Sequence, residues 1–186
     1  MPPKVKTTKE AILDAAVTIV RRDGAQLLNA RTVAAYLGCS TQPIFSNFAT
    51  MQELRLAVVE RADALCRDYM QREIESGLYP AYKATGMAYI RFAKEEKELF
   101  RLLYMRDRSG ETVPAELELD DELETLICQS TGLDPETARL FHLEMWACVH
   151  GIATMFATGF VDLPWELVSK MQTDLYQGLR KQYAKE

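Results

Sequence analysis

Residues 29–48 read NARTVAAYLGCSTQPIFSNF, and three consecutive side chains in that run, Thr41, Gln42 and Pro43, carry the chemistry needed to read a base pair. A glutamine amide can pair bidentately with adenine, and threonine and proline can each touch a thymine methyl group. They follow Leu37-Gly38-Cys39-Ser40, which separates two short stretches of apolar residues. A glycine entering a tight turn, an apolar residue in its middle and a helix cap at its exit set two helices at a steep angle. That is the helix-turn-helix, whose second helix lies in the major groove. The same turn also fits an ordinary corner in a helical bundle. If the second helix does enter DNA, Arg31, Ser46, Asn47 and an N-terminal arm carrying Lys4 and Lys6 are the groups expected to hold phosphates, which fix register without specifying sequence.

Other chemistries find less support. His142, Glu144 and His150 share one predicted helix, but the two histidines are eight residues apart with no third strong ligand beside them. Tetrahedral closure on a metal is not indicated, and His150 beside Gly151 reads as a hydrogen-bonded packing residue. Cys39, Cys66, Cys128 and Cys148 form no CxxC pair, so reduced thiols are expected rather than zinc or disulfides. No GxSxG, Walker, GxGxxG or HExxH pattern occurs. Neither catalysis nor a cofactor is expected, and an enzyme built on an acid pair without a motif is the most remote alternative.

The elements that position these residues all read as helices. Ile12, Ala15, Ala16, Ile19 and Val20 form one apolar stripe over residues 8–23, with capping-box spacing at Thr7 and Glu10 and a stop at Gly24. Asn29 caps a short helix ended by Gly38. Ser40 caps a third, with Pro43 in its first turn and Ile44, Phe45 and Phe48 as its large apolar residues. A long helix over 51–75 places Leu54, Val58, Ala62, Leu65 and Tyr69 on one face, and Gly77 and Pro80 break it. Helices over 81–95 and 97–106, a loop over 107–116 and an acidic helix over 117–130 follow. Asp134-Pro135-Glu136 opens a helix running to Gly159, and Pro164 opens the last one, with Leu167, Val168, Met171, Leu175 and Leu179 as its apolar residues. There is no hairpin signal and no internal repeat. The expectation is an all-α chain of about nine helices, with a helix-turn-helix domain over 1–50 and a helical body over 51–186.

Charge supports the division. The chain has 186 residues and a net charge of −5, yet residues 1–50 carry six cations against three anions. The remaining residues carry 16 cations and 24 anions. A small basic module on a larger acidic body suits nucleic acid at one end only. No stretch reads as about 20 uncharged apolar residues, so no membrane span is expected. Met1-Pro2-Pro3-Lys4 lacks a signal peptide's apolar core, which points to a cytoplasmic protein.

Residues 8–58 resemble the DNA-binding domain of TetR-family transcriptional regulators. The resemblance runs through AILDAAVTIVRRDG, VAAYLGCSTQPIFSNF and MQELRLAVV. It departs at Phe45, where Tyr is usual, at Asn47, where Tyr or His is usual, and at Met51, often Lys; a phenol and a cation that hold phosphates are thereby missing. Trp146-Ala-Cys-Val-His150-Gly151 is similar to the Trp…His-Gly motif of one C-terminal domain type in that family, and FAKEEKELFRLLY (92–104) to a segment of the same group.

The resemblance implies a double-stranded DNA operator, a homodimer paired through its last two helices, and a small-molecule effector bound in the body. The nearly all-round apolarity of 140–157 agrees with burial on both sides, and Leu175 and Leu179 are expected at the seam. Tyr69, Phe92, Tyr104 and Trp146 are the expected effector contacts, within an aromatic and Met-rich set most of which is core. Together these readings give a repressor released by an apolar or aromatic effector. The alternative is a helical small-molecule-binding protein whose DNA module has degenerated.

Overall fold

A computed structural model describes residues 7–106 and 121–183. Lys4, Lys6, the loop expected over 107–116 and the first residues of the helix expected over 117–130 lie outside the described residues. All regular structure among the described residues is helical: α1 Lys9–Asp23, a 3₁₀ turn Ala25–Leu27, α2 Ala30–Leu37, α3 Gln42–Asn47, α4 Met51–Ser76, α5 Ala81–Glu95, α6 Lys97–Tyr104, α7 Asp121–Thr131, α8 Pro135–Thr158 and α9 Trp165–Tyr183.

The chain forms two compact units. The first contains residues 1–65 and 96–106, the second residues 66–95 and 107–186. The division therefore falls inside α4, whose two ends belong to different units, and α6 belongs with the N-terminal helices.

In the first unit, α1 packs against α2, α3 and α6. Its apolar stripe is buried as the periodicity requires, with Ile12, Ala16 and Val20 fully covered. Its cap sits one residue later than expected: Thr8, not Thr7, accepts from the Ala11 N–H at 3.1 Å, so Glu10 lies in the first turn without closing a capping box. Asn29 does cap α2, taking the Arg31 and Thr32 N–H groups while Thr32 Oγ1 accepts from the Asn29 N–H. Gly38 closes α2 in the left-handed region at φ 64°, where other residues are strained. Leu54, Val58 and Ala62 bury the start of α4.

In the second unit, α5 packs on α7, α8 and α9, and α8 on α7 and α9. One core cluster joins Tyr82, Ile127, Ala138, Phe141, Met145 and Leu179, with Leu175 packed against it. Leu175 and Leu179 therefore face the subunit's own core. This corrects their placement at a seam: α9 turns these positions toward α7 and α8, and its exposed leucine is Leu167. Asp134 caps α8 by accepting from the Thr137 N–H at 3.1 Å, with Pro135 in the first turn. α8 has the length and apolar composition of a membrane-crossing helix, a test that the core helix of a helical body also passes, and 39% of its most apolar window is buried within the chain. Leu140, Leu143 and Met155 are exposed on this helix.

Candidate functional site

The turn and α3 are built from the apolar residues inward. Ile44 and Phe48, one helical turn apart, are buried, and Cys39 N–H bonds to the Ala34 carbonyl at 3.0 Å, tying the turn to α2. This anchoring turns the opposite face outward. Gln42, Phe45 and Ser46, spaced i, i+3 and i+4, form the exposed face of α3, with Thr41 and Pro43 half-buried at its start. Thr41, not Ser40, is the N-cap residue, in helical conformation and without a side-chain cap bond. Its carbonyl accepts from Ile44 N–H at 3.2 Å, so the helix begins by backbone bonding and the Thr41 hydroxyl has no capping duty.

The phosphate-holding candidates fare differently from one another. Arg31 is exposed in the first turn of α2. Ser46 Oγ donates to the Gln42 carbonyl at 3.0 Å. Asn47 is half-buried, and its amide donates to the Pro43 carbonyl at 2.8 Å and the Thr7 carbonyl at 3.4 Å. The amide is thus occupied in fastening Thr7, the residue before the α1 cap, to the end of α3.

Phe45 does not share the burial of its apolar neighbours. It had been grouped with Ile44 and Phe48 as a large apolar residue, yet it is 49% exposed. The spacing contains the signal: Ile44 and Phe48 are four apart and share a face, which puts Phe45 about 100° away, next to Gln42 and Ser46. The start of α4 lies close by in sequence and is capped by Thr50, whose Oγ1 accepts from Glu53 N–H at 3.1 Å. Glu53 in turn accepts from Ala49 N–H at 2.7 Å and from Lys9 at 3.2 Å, and these bonds hold its carboxyl below the usual range. Lys9 also stands over the Phe48 ring at 4.7 Å.

Of the four aromatic residues expected to bind an effector, Tyr69, Phe92 and Trp146 belong to the second unit and Tyr104 to the first. Phe92 is fully buried, with Tyr69 edge-on to it at 5.5 Å and the Tyr69 hydroxyl on Glu95 at 2.9 Å. Trp146 stacks on His150, one turn further along α8, at 4.8 Å and 20°. Tyr104 belongs to the first unit, where its ring packs on Phe100 at 5.0 Å. An open groove of about 510 Å³ in the second unit is lined by Ile74, Ala81, Asp121, Glu122, Thr125, Leu126 and Gln129.

The histidines have structural partners. His150 Nδ1 meets the Tyr89 hydroxyl at 2.9 Å, and His142 Nδ1 meets the Tyr82 hydroxyl at 3.0 Å. Two Tyr–His pairs thus fasten α5 to α8, and burial pushes the His142 imidazole down to about 4. Among the described residues no three His, Cys, Asp or Glu side chains group as metal ligands would.

The Trp146–His150 stack lies within a stretch that has known relatives. Residues 82–171, running from α5 into α9, match the tetracyclin repressor-like C-terminal domain. These residues carry a C-terminal domain of the tetracyclin repressor-like (TetR) family. The fold agrees across the full length. A TetR-like transcriptional regulator from Rhodococcus sp. RHA1 is 17% identical, with a TM-score of 0.68 and 100% of both chains covered. A protein of unknown function from the same organism is 22% identical, with a TM-score of 0.74 and 100% of both chains covered. A multidrug binding protein, EbrR, solved in complex with imidazole, is 20% identical, with a TM-score of 0.62 over 90% of this chain and 88% of that one. No curated protein matches this sequence. These solved structures share the all-helical fold of this chain.

Proposed function

We propose that this TetR-like protein is a cytoplasmic, homodimeric repressor that binds one DNA operator sequence-specifically and is released from it by a small apolar or aromatic effector. The observation that carries this reading is the exposed face of α3. Gln42 is exposed beside Phe45 and Ser46, while Ile44 and Phe48 pin the helix from behind. Gln42 reads adenine, Thr41, Pro43 and Phe45 meet thymine methyl groups, and Arg31 and the Lys4/Lys6 arm hold phosphates, joined by Ser46 when its hydroxyl turns from the Gln42 carbonyl. Asn47 acts by positioning that arm, since its amide already holds Thr7.

A six-residue reading helix offers little affinity alone, so two subunits on two half-sites are required. The exposed apolar residues of α8 and α9, Leu140, Leu143, Met155 and Leu167, supply the seam. The effector binds in the second unit near Tyr69, Phe92 and Trp146. It acts through α4, which carries both Leu54 of the first unit's core and Tyr69, along a helix of about 39 Å. A coupling of about 1–3 kcal/mol gives roughly 5–150-fold weaker operator binding.

A mobility-shift titration on DNA from upstream of the protein's own coding region tests the DNA half. A specific, salt-sensitive shift is expected, and binding no tighter than to random DNA contradicts it. Titrating aromatic compounds into that complex while following Trp146 fluorescence, in a Trp165→Phe background, tests the other half. Quenching with release of DNA is expected; quenching with unchanged DNA affinity removes the switch alone. The second reading, a ligand-binding protein with a degenerate DNA module, draws on two observations: Lys9 is paired with Glu53 and the Asn47 amide is occupied. It predicts effector binding with no specific shift on any upstream DNA.

A further inference from the structure

Lys83, in the first turn of α5, donates from Nζ to Ser169 Oγ at 2.7 Å and to Thr173 Oγ1 at 2.8 Å on α9. The ring of Tyr79 lies 5.0 Å from the same nitrogen. An ammonium in this half-buried position ordinarily pairs with a carboxylate, yet Lys83 has no ion-pair partner among the described residues; its neighbours are two neutral hydroxyls and a π-face. The lysine is pushed below its ordinary range by burial alone, with no acid to offset it. By contrast Lys94 and Lys170 of the same unit each have an aspartate partner.

The arrangement leaves donors unused. An ammonium has three N–H groups, and two are engaged. Thr173 uses its hydroxyl proton on the Ser169 carbonyl at 3.0 Å. Ser169 accepts from Lys83 through its oxygen, which leaves its own O–H to donate. One ammonium N–H and one hydroxyl O–H thus stand on adjoining atoms 2.7 Å apart, where both can donate to a single carboxylate.

We propose that Lys83 and Ser169 form a binding site for the carboxylate of a small organic acid, with Thr173 and Tyr79 holding the ammonium in place. The carboxylate accepts from the third N–H of Lys83 with one oxygen and from the Ser169 hydroxyl with the other, and supplies the negative charge that the surrounding residues lack. None of these residues belongs to the DNA-reading face or to the aromatic set assigned to the effector, so the site stands whether or not those assignments do.

The test follows the lysine directly. The full-length protein is labelled with ¹³C at lysine Cε, the Lys83 resonance is assigned by its loss in Lys83→Met, and benzoate is titrated in at constant ionic strength against chloride. Saturable movement of that resonance is expected, with the Lys83 titration moving to higher pH as benzoate binds. Ser169→Ala should weaken the affinity about tenfold, matching loss of one charge-assisted hydrogen bond. Because Lys83→Met can disturb the packing of α5 on α9, Ser169→Ala and circular dichroism of both variants accompany it. A Lys83 resonance unmoved by benzoate, equal affinity in Ser169→Ala, or benzoate binding retained in a folded Lys83→Met protein each overturns the proposal.

Discussion

The six residues of α3 and the 24 of α8 treat their side chains in opposite ways. On α3, half of the residues are exposed and the base-reading candidates have little to do inside the protein. On α8, Phe141, Met145, Val149, Ile152, Ala153 and Phe156 are buried, and both histidines are tied to tyrosines of α5. Side chains that a helix commits to its own fold cannot serve a partner, and those left without internal partners mark where a partner comes. The same contrast recurs within α8, where Phe141 is covered while Leu140 and Leu143 beside it are exposed.

The largest expected effect lies on the committed side. Phe141→Ala removes a fully buried ring from the cluster with Tyr82, Ile127 and Met145 and should destabilise the protein by about 3–5 kcal/mol, read as a lower urea midpoint. Loss of less than about 1 kcal/mol would mean that the cluster is looser than described. Leu179→Glu should likewise unfold the second unit, whereas Leu140→Glu with Leu143→Glu should leave the subunit folded. That double variant places charges on the exposed face, so it should sediment as a monomer where the parent is a dimer, a cost of several kcal/mol to association. A double variant that remains dimeric moves the seam elsewhere.

A smaller effect depends on pH. His142 titrates near 4 in the folded protein because it is buried, against about 6.5 when unfolded. The unfolded chain therefore binds the proton first as pH falls. The contribution of His142 is fully present above about pH 6.5 and declines as pH falls toward 4, by about 3 kcal/mol at most. His142→Asn should flatten the dependence of stability on pH in that window. A parent and variant with parallel curves would show that the imidazole is better solvated than its packing implies. The smallest of these effects is a cap: Asn29→Ala should cost about 1 kcal/mol of thermal stability through the first unit, with no change in the second.

Much of this was legible in the residues. Helix existence followed from periodicity, and the stops at Gly24, Gly38 and Gly159 followed from glycines at the left-handed or otherwise positive φ that ends a helix. Caps were less secure, because Thr7 and Thr8 or Ser40 and Thr41 offer the same hydroxyl one residue apart, and only the three-dimensional start of each helix selects between them. The outward turn of Phe45 was encoded in its offset from Ile44 and Phe48, while apolar type alone pointed the wrong way. Leu175 and Leu179 were misplaced because periodicity identifies a buried face without saying whether the subunit or its partner covers it. The Asn47 tie to Thr7 and the ammonium cradle at Lys83 join residues 40 and more than 80 positions apart, which no local pattern reveals.

The claim at the centre of this account is that α3 reads DNA through Gln42, and the most direct measurement compares Gln42→Ala with Arg31→Ala on a set of single-base operator variants at several salt concentrations. Gln42→Ala should retain parental stability, lose about 1–3 kcal/mol on the preferred site and become indifferent to one base pair, with its salt slope unchanged. Arg31→Ala should weaken all variants equally and flatten the slope by about one counterion. If Gln42→Ala instead ranks every operator variant as the parent does, with equal affinity, α3 is not the reading helix.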